Sequence, residues 1–458
     1  MTSMDTETAY SHALDYLYSF VDYSLKHASQ LAKADFNLER MFALMAELGS
    51  PQRDYPIIHV AGTKGKGSTS ALCAAALQAA GYRTGLYTSP HLLDYAERIR
   101  VNMDPIDHSQ FAELVDEIGP AVARIPKLTT FEITTALGLL HFARSSVDVA
   151  VIEVGLGGRL DATNVVAPAV SAITSISYDH MLVLGDTLAK IALEKAGIIK
   201  AGVPVVSAPQ QDEALAVLQQ VCLERGAPMT LVGRDLHLEP MAQSLDGQSF
   251  ELWSDDATRI RLNLPLLGVH QVENAATAFA ALRASGLDIS EASIREGFAS
   301  VRWPARFEIA RRDPPVIFDS AHNQDSFTRL RETLELCFPG RPVQLIFGAS
   351  EDKNIPGMFA EMRSKISTIL ITQSEHPRAL RPEQIIPLAD RAGLRHETVV
   401  PVGAALDRAL ELSRKDGSIV LSAGSMFVTA EVLKAWQLKY RKAEGESPRA
   451  AINQAKAS

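Results

Sequence analysis

The strongest constraint on this chain is a rhythm of short apolar runs and helical stretches. "YPIIHVAG" is a β-rich run ending in glycine, and "KGSTSALCAAALQAAG" follows as an Ala- and Leu-rich helix closed by Gly81. "YRTGLYTS" reads as the next strand. "VDVAVIEVG" is apolar and β-branched, as a strand covered on both faces should be. "AVSAITSIS" and "VPVVSAP" obey the same rule, with "TLAKIALEKAGIIKAG" as a helix between them. Strands alternating with helices predict a mostly parallel α/β sheet, whose ligands bind beyond the carboxyl ends of the strands.

The rhythm breaks between residues 229 and 267. Short strand-like runs around an "LDGQSF" turn predict a small antiparallel insertion closing the first domain. "HQVENAATAFAALRASG" is a helix stopped by Gly286. A boundary is expected near "SVRWPARFEIARRDPP", after which the alternation restarts with "PPVIFDSAHN", "RPVQLIFGAS", "ISTILITQS" and "GSIVLSAGSM". The expected architecture is an N-terminal P-loop-type domain over residues 1–300, with its mostly parallel sheet and antiparallel insertion. A smaller Rossmann-like α/β domain covers 301–440, and 441–458 is a polar tail expected to be disordered.

Composition removes several function classes. Hydrophobic residues make up 47% of 458, enough for packed domains, and the net charge of −9 argues against broad nucleic-acid or anionic-membrane binding. Cys73, Cys222 and Cys337 are far apart and lack metal-ligand spacing, which fits a reducing compartment. The polar start "MTSMDTETAY" lacks a signal-peptide core, and no apolar run is long enough for a membrane span. A cytoplasmic monomer acting on small molecules is expected, with neither nucleic acid nor membrane as partner.

"HVAGTKGKGSTSA" looks like a phosphate-binding loop, yet the common pattern G-x-x-x-x-G-K-[ST] does not fit. The first glycine should stand where Val60 is, and the residue after Lys66 is Gly67. Gly62, Thr63, Lys64, Gly65, Lys66, Gly67 and Ser68 nevertheless lie between a strand and a helix N-terminus, where free N–H groups and the helix dipole favour an anion. A tight glycine turn with no ligand is the plainer alternative. Glu153 falls within an apolar strand, where a carboxylate needs a partner, either a metal or an arginine. Asp179 and His180 of "SISYDH" are read at the end of another strand, on the side of the loop. Glu153 and His180 together suggest Mg²⁺ near nucleotide phosphates, although imidazole is an uncommon ligand for that ion and a lone His is more often structural.

Further motifs stand in one order: "YTSPHL", "ERIRV", "FEITTA", "EVGLGGRLDATNVV", "DH" and "EKAGIIK", then "WPARFE", "DSAHN", "GASEDK" and "HPRAL". With the loop, they resemble the folylpolyglutamate synthase and dihydrofolate synthase family of the Mur ligase superfamily, from about residue 36 to 436. That family uses the shorter loop G-T-x-G-K-G-S, so Gly67 belongs to its pattern. The resemblance implies ATP as co-substrate, phosphate binding by Lys66, and Mg²⁺ held by Ser89, Glu153 and His180. It implies a carbamylated Lys195, although an unmodified Lys195 could simply end its helix favourably. Asn274 and Arg306 resemble residues that hold ATP across a domain interface, and Asp319 and His322 a pair near the nucleotide. Thr129, Phe131, Asp161, Ala162 and Asn164 match a pterin pocket, Phe131 being equally readable as a core side chain. Ser320, Gln324, Met103 and Asn354 depart from the family's usual Gly, Pro, Gly and Asp.

The implied activity is ATP-dependent addition of L-glutamate to dihydropteroate or a reduced folate through an acyl phosphate, with the bifunctional form favoured. The alternatives are a folylpolyglutamate synthase alone, a Mur-type cell-wall peptide ligase, and a nucleotide-binding protein without turnover.

Overall fold

In the computed structural model, residues 5–22, 36–255 and 258–440 are described, so the expected tail at 441–458 lies outside them. The chain divides into two compact units, Met1–Trp303 and Pro304–Ser458.

The first unit is built on an eight-stranded sheet of order β4-β3-β2-β5-β1-β6-β7-β8. Its strands are β1 (Ile57–Ala61), β2 (Thr84–Tyr87), β3 (Ile99–Val101), β4 (Asp104–Pro105), β5 (Val149–Glu153), β6 (Val170–Ile173), β7 (Val205–Ser207) and β8 (Met229–Leu231). All pairings are parallel except β2 with β3 and β3 with β4. Every residue of β1 and β5 is buried, because helices cover both faces.

The helices of this unit are α1 (Thr6–Tyr18), α2 (Glu39–Glu47), α3 (Lys66–Ala79), α4 (His108–Arg124), α5 (Thr130–Arg144), α6 (Met181–Leu184), α7 (Leu188–Ala196), α8 (Asp212–Arg225), α9 (Val269–Ala284) and α10 (Glu291–Ser300). Alternation along β1 sorts its side chains between layers. Ile58 and Val60 join the alanine-rich core made by α3 and α9, while Ile57 faces the core of α1, α2, α4 and α5. Alanines allow α3 to be wrapped closely. A Cβ at Gly297 of α10 would collide with the Ala76 backbone.

The small antiparallel piece is a separate three-stranded sheet of β9 (His237–Ser244), β10 (Gly247–Trp253) and β11 (Ile260–Leu264). It begins later than the sequence suggests. Met229–Leu231, the start of the expected insertion, pairs with β7 and completes the parallel sheet instead. Those three residues carry no period that separates the two outcomes.

The second unit has a six-stranded sheet of order β12-β13-β17-β14-β15-β16, from β12 (Glu308–Arg312), β13 (Pro315–Phe318), β14 (Val343–Phe347), β15 (Ile366–Ile371), β16 (His396–Thr398) and β17 (Ile419–Ala423). Its antiparallel pair is β12 with β13. The helices are α11 (Gln324–Cys337), α12 (Ile355–Met362), α13 (Pro382–Arg391), α14 (Val402–Asp416) and α15 (Met426–Lys439).

Candidate active site

β1 ends at Ala61 and α3 begins at Lys66, so the glycine loop spans the carboxyl edge of the sheet at its centre. Gly62 has φ +146° and Gly65 has φ +87°, values a side chain rarely permits. A Cβ at Gly62 would strike Thr174, and one at Gly65 would strike the Asn274 amide. The loop is tied to the segment after β6. The Thr63 and Lys64 N–H groups donate to the Ser175 carbonyl at 2.9 and 3.1 Å, and the Thr63 hydroxyl donates to the Ser177 carbonyl at 3.1 Å. Gln210 braces that segment, donating to the Thr174 carbonyl at 3.0 Å and accepting from the Ile176 N–H at 3.0 Å. The first-turn N–H groups of α3 have no partner inside the helix, and with the helix dipole they favour an anion.

Three lysines surround this loop in different ways. Lys66 Nζ stands 4.0 Å from Glu153 Oε1. Lys64 Nζ pairs with Asp179 at 2.8 Å. Lys195, on the last turn of α7, is buried, and its Nζ donates to the Gly62 carbonyl at 2.8 Å. Burial, reinforced by the charge of Lys66, pushes the Lys195 amine down to about 7.

Glu153, the last residue of β5, is buried and accepts the Ser89 N–H at 3.4 Å on Oε2. Its cationic neighbour is Lys66 rather than the arginine considered from sequence. The expected strand-end position of His180 is not what the fold has. β6 stops at Ile173, and His180 lies in the following loop, exposed, at φ +50°, where it starts the short α6. The polar run from Thr174 to Asp179 turns away to meet the glycine loop, which ends the ladder early. Among the described residues no group of three or more His, Cys, Asp or Glu could hold a metal by itself. The buried Glu153 carboxylate, with Ser89 bonded to it through its N–H, fits an ion that takes its remaining ligands from water and phosphate, as Mg²⁺ does.

Asn274 faces the loop from α9. Its Nδ2 donates to Gln271 Oε1 at 3.0 Å, and its carbonyl accepts the Thr69 hydroxyl at 3.4 Å. Trp303 places its indole against Gly67, a neighbour the sequence reading passed over although the tryptophan opens the "WPARFE" motif.

A second group gathers beyond β5. Thr129 caps α5 in a reciprocal box: its hydroxyl accepts the Glu132 N–H, and its N–H donates to Glu132 Oε2 at 2.8 Å. Phe131 is half-buried. Its ring packs where a Cβ on Gly155 would sit and lies 6.4 Å from the Tyr87 ring. Asp161 is buried, with Oδ2 accepting the Leu156 N–H at 2.8 Å and Oδ1 accepting the Thr163 N–H at 3.0 Å and hydroxyl at 2.5 Å. Burial raises its pKa above the usual carboxylate range, and these hydrogen bonds partly offset that. Ala162 is buried beside it. Asn164 Nδ2 donates to the carbonyls of Arg159 and Gly197 at 3.0 and 3.1 Å, and its Oδ1 accepts Lys200 Nζ at 2.8 Å. The side chains of Thr129, Asp161 and Asn164 thus hold the local chain in shape, and Phe131 is the half-buried member of the group.

In the second unit, Asp319 follows β13. Its carboxylate accepts the Phe307 N–H at 2.8 Å and the Ala321 N–H at 2.7 Å. Burial raises its pKa, and the nearby Arg306 opposes that rise. Ala305 and Phe307 flank Arg306 at φ +54° and +48°. His322 Nδ1 lies 2.8 Å from the Ser320 carbonyl. Arg306, Asp319 and His322 therefore share one edge, beyond the carboxyl end of β13.

Comparison with known proteins agrees with this layout. Residues 60–282 match the Mur ligase middle domain, and residues 305–426 match the Mur ligase glutamate ligase domain. The chain is 33% identical over 437 residues to a dihydrofolate synthase/folylpolyglutamate synthase of Bacillus subtilis, spanning 93% of this chain and 99% of that one. It is 36% identical over 402 residues to the protein of the same name in Escherichia coli, spanning 87% and 91%. The solved structure of Mycobacterium tuberculosis folylpolyglutamate synthase complexed with ADP superposes with a TM-score of 0.85 at 32% identity, covering 97% of this chain and 100% of that one. The E. coli FolC structure in complex with DHPP and ADP gives 0.83 at 32% identity, covering 95% and 100%. The chain belongs to the Mur ligase family, in its dihydrofolate synthase/folylpolyglutamate synthase branch, and is an ATP-dependent ligase.

Proposed function

We propose that the chain adds L-glutamate to a pterin-bearing carboxylic acid at the expense of ATP, taking both dihydropteroate and a reduced folate. The observation that carries this reading is the anion cradle at the β1–α3 junction, with Lys66 set 4.0 Å from the buried Glu153. The phosphates of ATP lie on the α3 N-terminus, where N–H groups and Lys66 receive the charge that grows during transfer. A carboxylate oxygen of the acceptor attacks the γ-phosphorus, ADP leaves, and an acyl phosphate forms. The α-amine of glutamate then attacks the acyl carbon and loses a proton, and phosphate leaves. Positioning and charge neutralisation are the main contributions asked of the protein.

Ser89, Glu153 and His180 are the residues that would hold Mg²⁺, which when bound neutralises phosphate charge. The near-neutral, buried Lys195 supports a carbamate at that position, formed when its amine adds CO2 and sheds a proton. Asn274, Arg306, Asp319 and His322 are assigned to ATP. Phe131 offers a ring face to the pterin, within a pocket shaped by Thr129, Asp161, Ala162 and Asn164. The chain works as a cytoplasmic monomer on small molecules. No helix among the described residues is long and apolar enough to cross a membrane.

The test is ADP release by purified protein with ATP, Mg²⁺, glutamate and each acceptor in turn. Turnover is expected with both pterin acids. Turnover with the reduced folate alone would leave a polyglutamylating enzyme, and turnover only with a nucleotide-linked peptide would move the chain to the cell-wall branch. Asp161→Ala is expected to lose acceptor turnover at least about tenfold more than ADP affinity, by the cost of a disrupted polar site.

A further inference from the structure

His59 belongs neither to the ATP cradle nor to the acceptor pocket, yet it is fully buried in the central strand of the sheet. Its register partners are Ile152 of β5 and Ser171 of β6. It points away from the α3 layer that takes Ile58 and Val60. Its ring Nε2 lies 2.9 Å from the Thr163 hydroxyl, and its Nδ1 is buried with no hydrogen-bond partner.

The direction of these bonds can be worked out. The Thr163 hydroxyl has one proton, and Asp161 Oδ1 receives it at 2.5 Å. That hydroxyl must then accept from His59, so Nε2 carries the ring hydrogen and Nδ1 is bare. Burial, with Lys200 as a lesser cause, lowers the imidazole to about 3, so the ring is neutral and has one N–H to give. The sequence of donors runs from His59 through Thr163 to Asp161. Asp161 in turn holds the Leu156 N–H at 2.8 Å, next to Gly155, against which the Phe131 ring rests. An apolar side chain could fill the same volume without burying a bare nitrogen, so packing alone does not account for histidine here.

We propose that His59 is a positioning residue for the acceptor pocket. Its Nε2–H turns the Thr163 hydroxyl toward Asp161, and so fixes the Gly155–Asn164 loop and the seat of Phe131. This rests on the assignment of that loop to the acceptor.

Two readouts test it on the full-length protein. The first, independent of substrate, is nitrogen-15 imidazole NMR. A neutral Nε2–H tautomer from pH 7 down to pH 5 is expected, and an Nδ1–H tautomer or an imidazolium would overturn the proposal. The second is kinetics on His59→Leu, His59→Gln, Thr163→Val and the double variant His59→Leu/Thr163→Val. His59→Leu is expected to raise KM for the pterin acid about tenfold, with KM for ATP changed less than about twofold. Thr163→Val should do the same, the double variant should be no worse than either single, and His59→Gln, whose amide can donate in place of Nε2, should recover most of the loss. Additive losses, equal rises in both KM values, or a glutamine variant as poor as leucine would overturn it. If His59→Leu does not fold, the glutamine and Thr163→Val variants decide the matter. If the wild type uses no pterin acid, the functional reading fails by itself, and the tautomer and the non-additivity of melting temperatures still judge His59.

Discussion

Lys195, proposed above to carry a carbamate, sits where its amine costs stability. Its amine is buried against the Gly62 carbonyl and depressed to about 7, with burial as the first cause. Between that value and the unfolded value of about 10.4, the unfolded chain carries a proton that the folded chain lacks. Stability from this group therefore rises with pH across that window, and the penalty is complete below it. Lys195→Met is expected to hold less than about 1% of wild-type turnover while melting no lower at pH 7. In protein stripped of CO2, where the amine is unmodified, the melting difference in its favour should shrink as pH rises toward 10, which thermal scans across pH will read. Formate should return part of the turnover of Lys195→Ala by replacing a missing anion, and a fully active variant would end the carbamate assignment. Sequence reading reached Lys195 only through the "EKAGIIK" motif. Nothing in its neighbours announces a buried amine, because the Gly62 carbonyl that receives it is far away along the chain. His59 shows the same limit, since its partner Thr163 arrives by strand order alone.

At the scale of elements, the β1–α3 loop depends on backbone as well as on side chains. Gly65 and Gly81 both have positive φ, +87° and +91°. A Cβ at Gly65 meets the Asn274 amide, while one at Gly81 meets nothing within 4 Å. Both alanine variants should be destabilised, by about 1 kcal/mol at Gly81 and by up to about 3 kcal/mol at Gly65. Gly65→Ala alone should weaken ADP binding, measured by titration calorimetry, because only there does the new methyl displace the cradle. Equal ADP affinity in the two variants would count against the loop as the nucleotide site. The strands and long helices here were legible, since apolar runs and glycine stops are local signals. The polar loop carrying His180 was misplaced by extending β6 too far. A further pairing was hidden altogether: Gln324 and Asn354, both departures from the family pattern, lie 3.3 Å apart as an amide–amide hydrogen bond on the second unit. Two changes at distant positions look unrelated until helix α11 and the α12 N-cap are folded beside each other.

At the scale of the molecule, Met1–Trp303 contains its own core clusters on both faces of its sheet. A chain ending at Trp303 is expected to melt in one cooperative transition and to show no ligase turnover, because Arg306, Asp319 and His322 lie beyond the cut. Turnover by that fragment would refute their assignment, and a melt without cooperativity would refute the unit's independence. The alternation of strand and helix was enough to specify an α/β chain, because burial of both sheet faces leaves a continuous apolar run in each central strand. The long ordered motifs were enough to indicate the family. What the sequence could not determine is which side chains spend their polar groups on the protein itself. Asp161 and Asn164 match a ligand pocket in the motifs, yet each is hydrogen-bonded within the fold. Such bonds join residues that lie apart along the chain, or turn on the exact course of a loop. They are set when strand order and helix packing bring donors and acceptors within about 3 Å of each other, a distance no periodicity encodes.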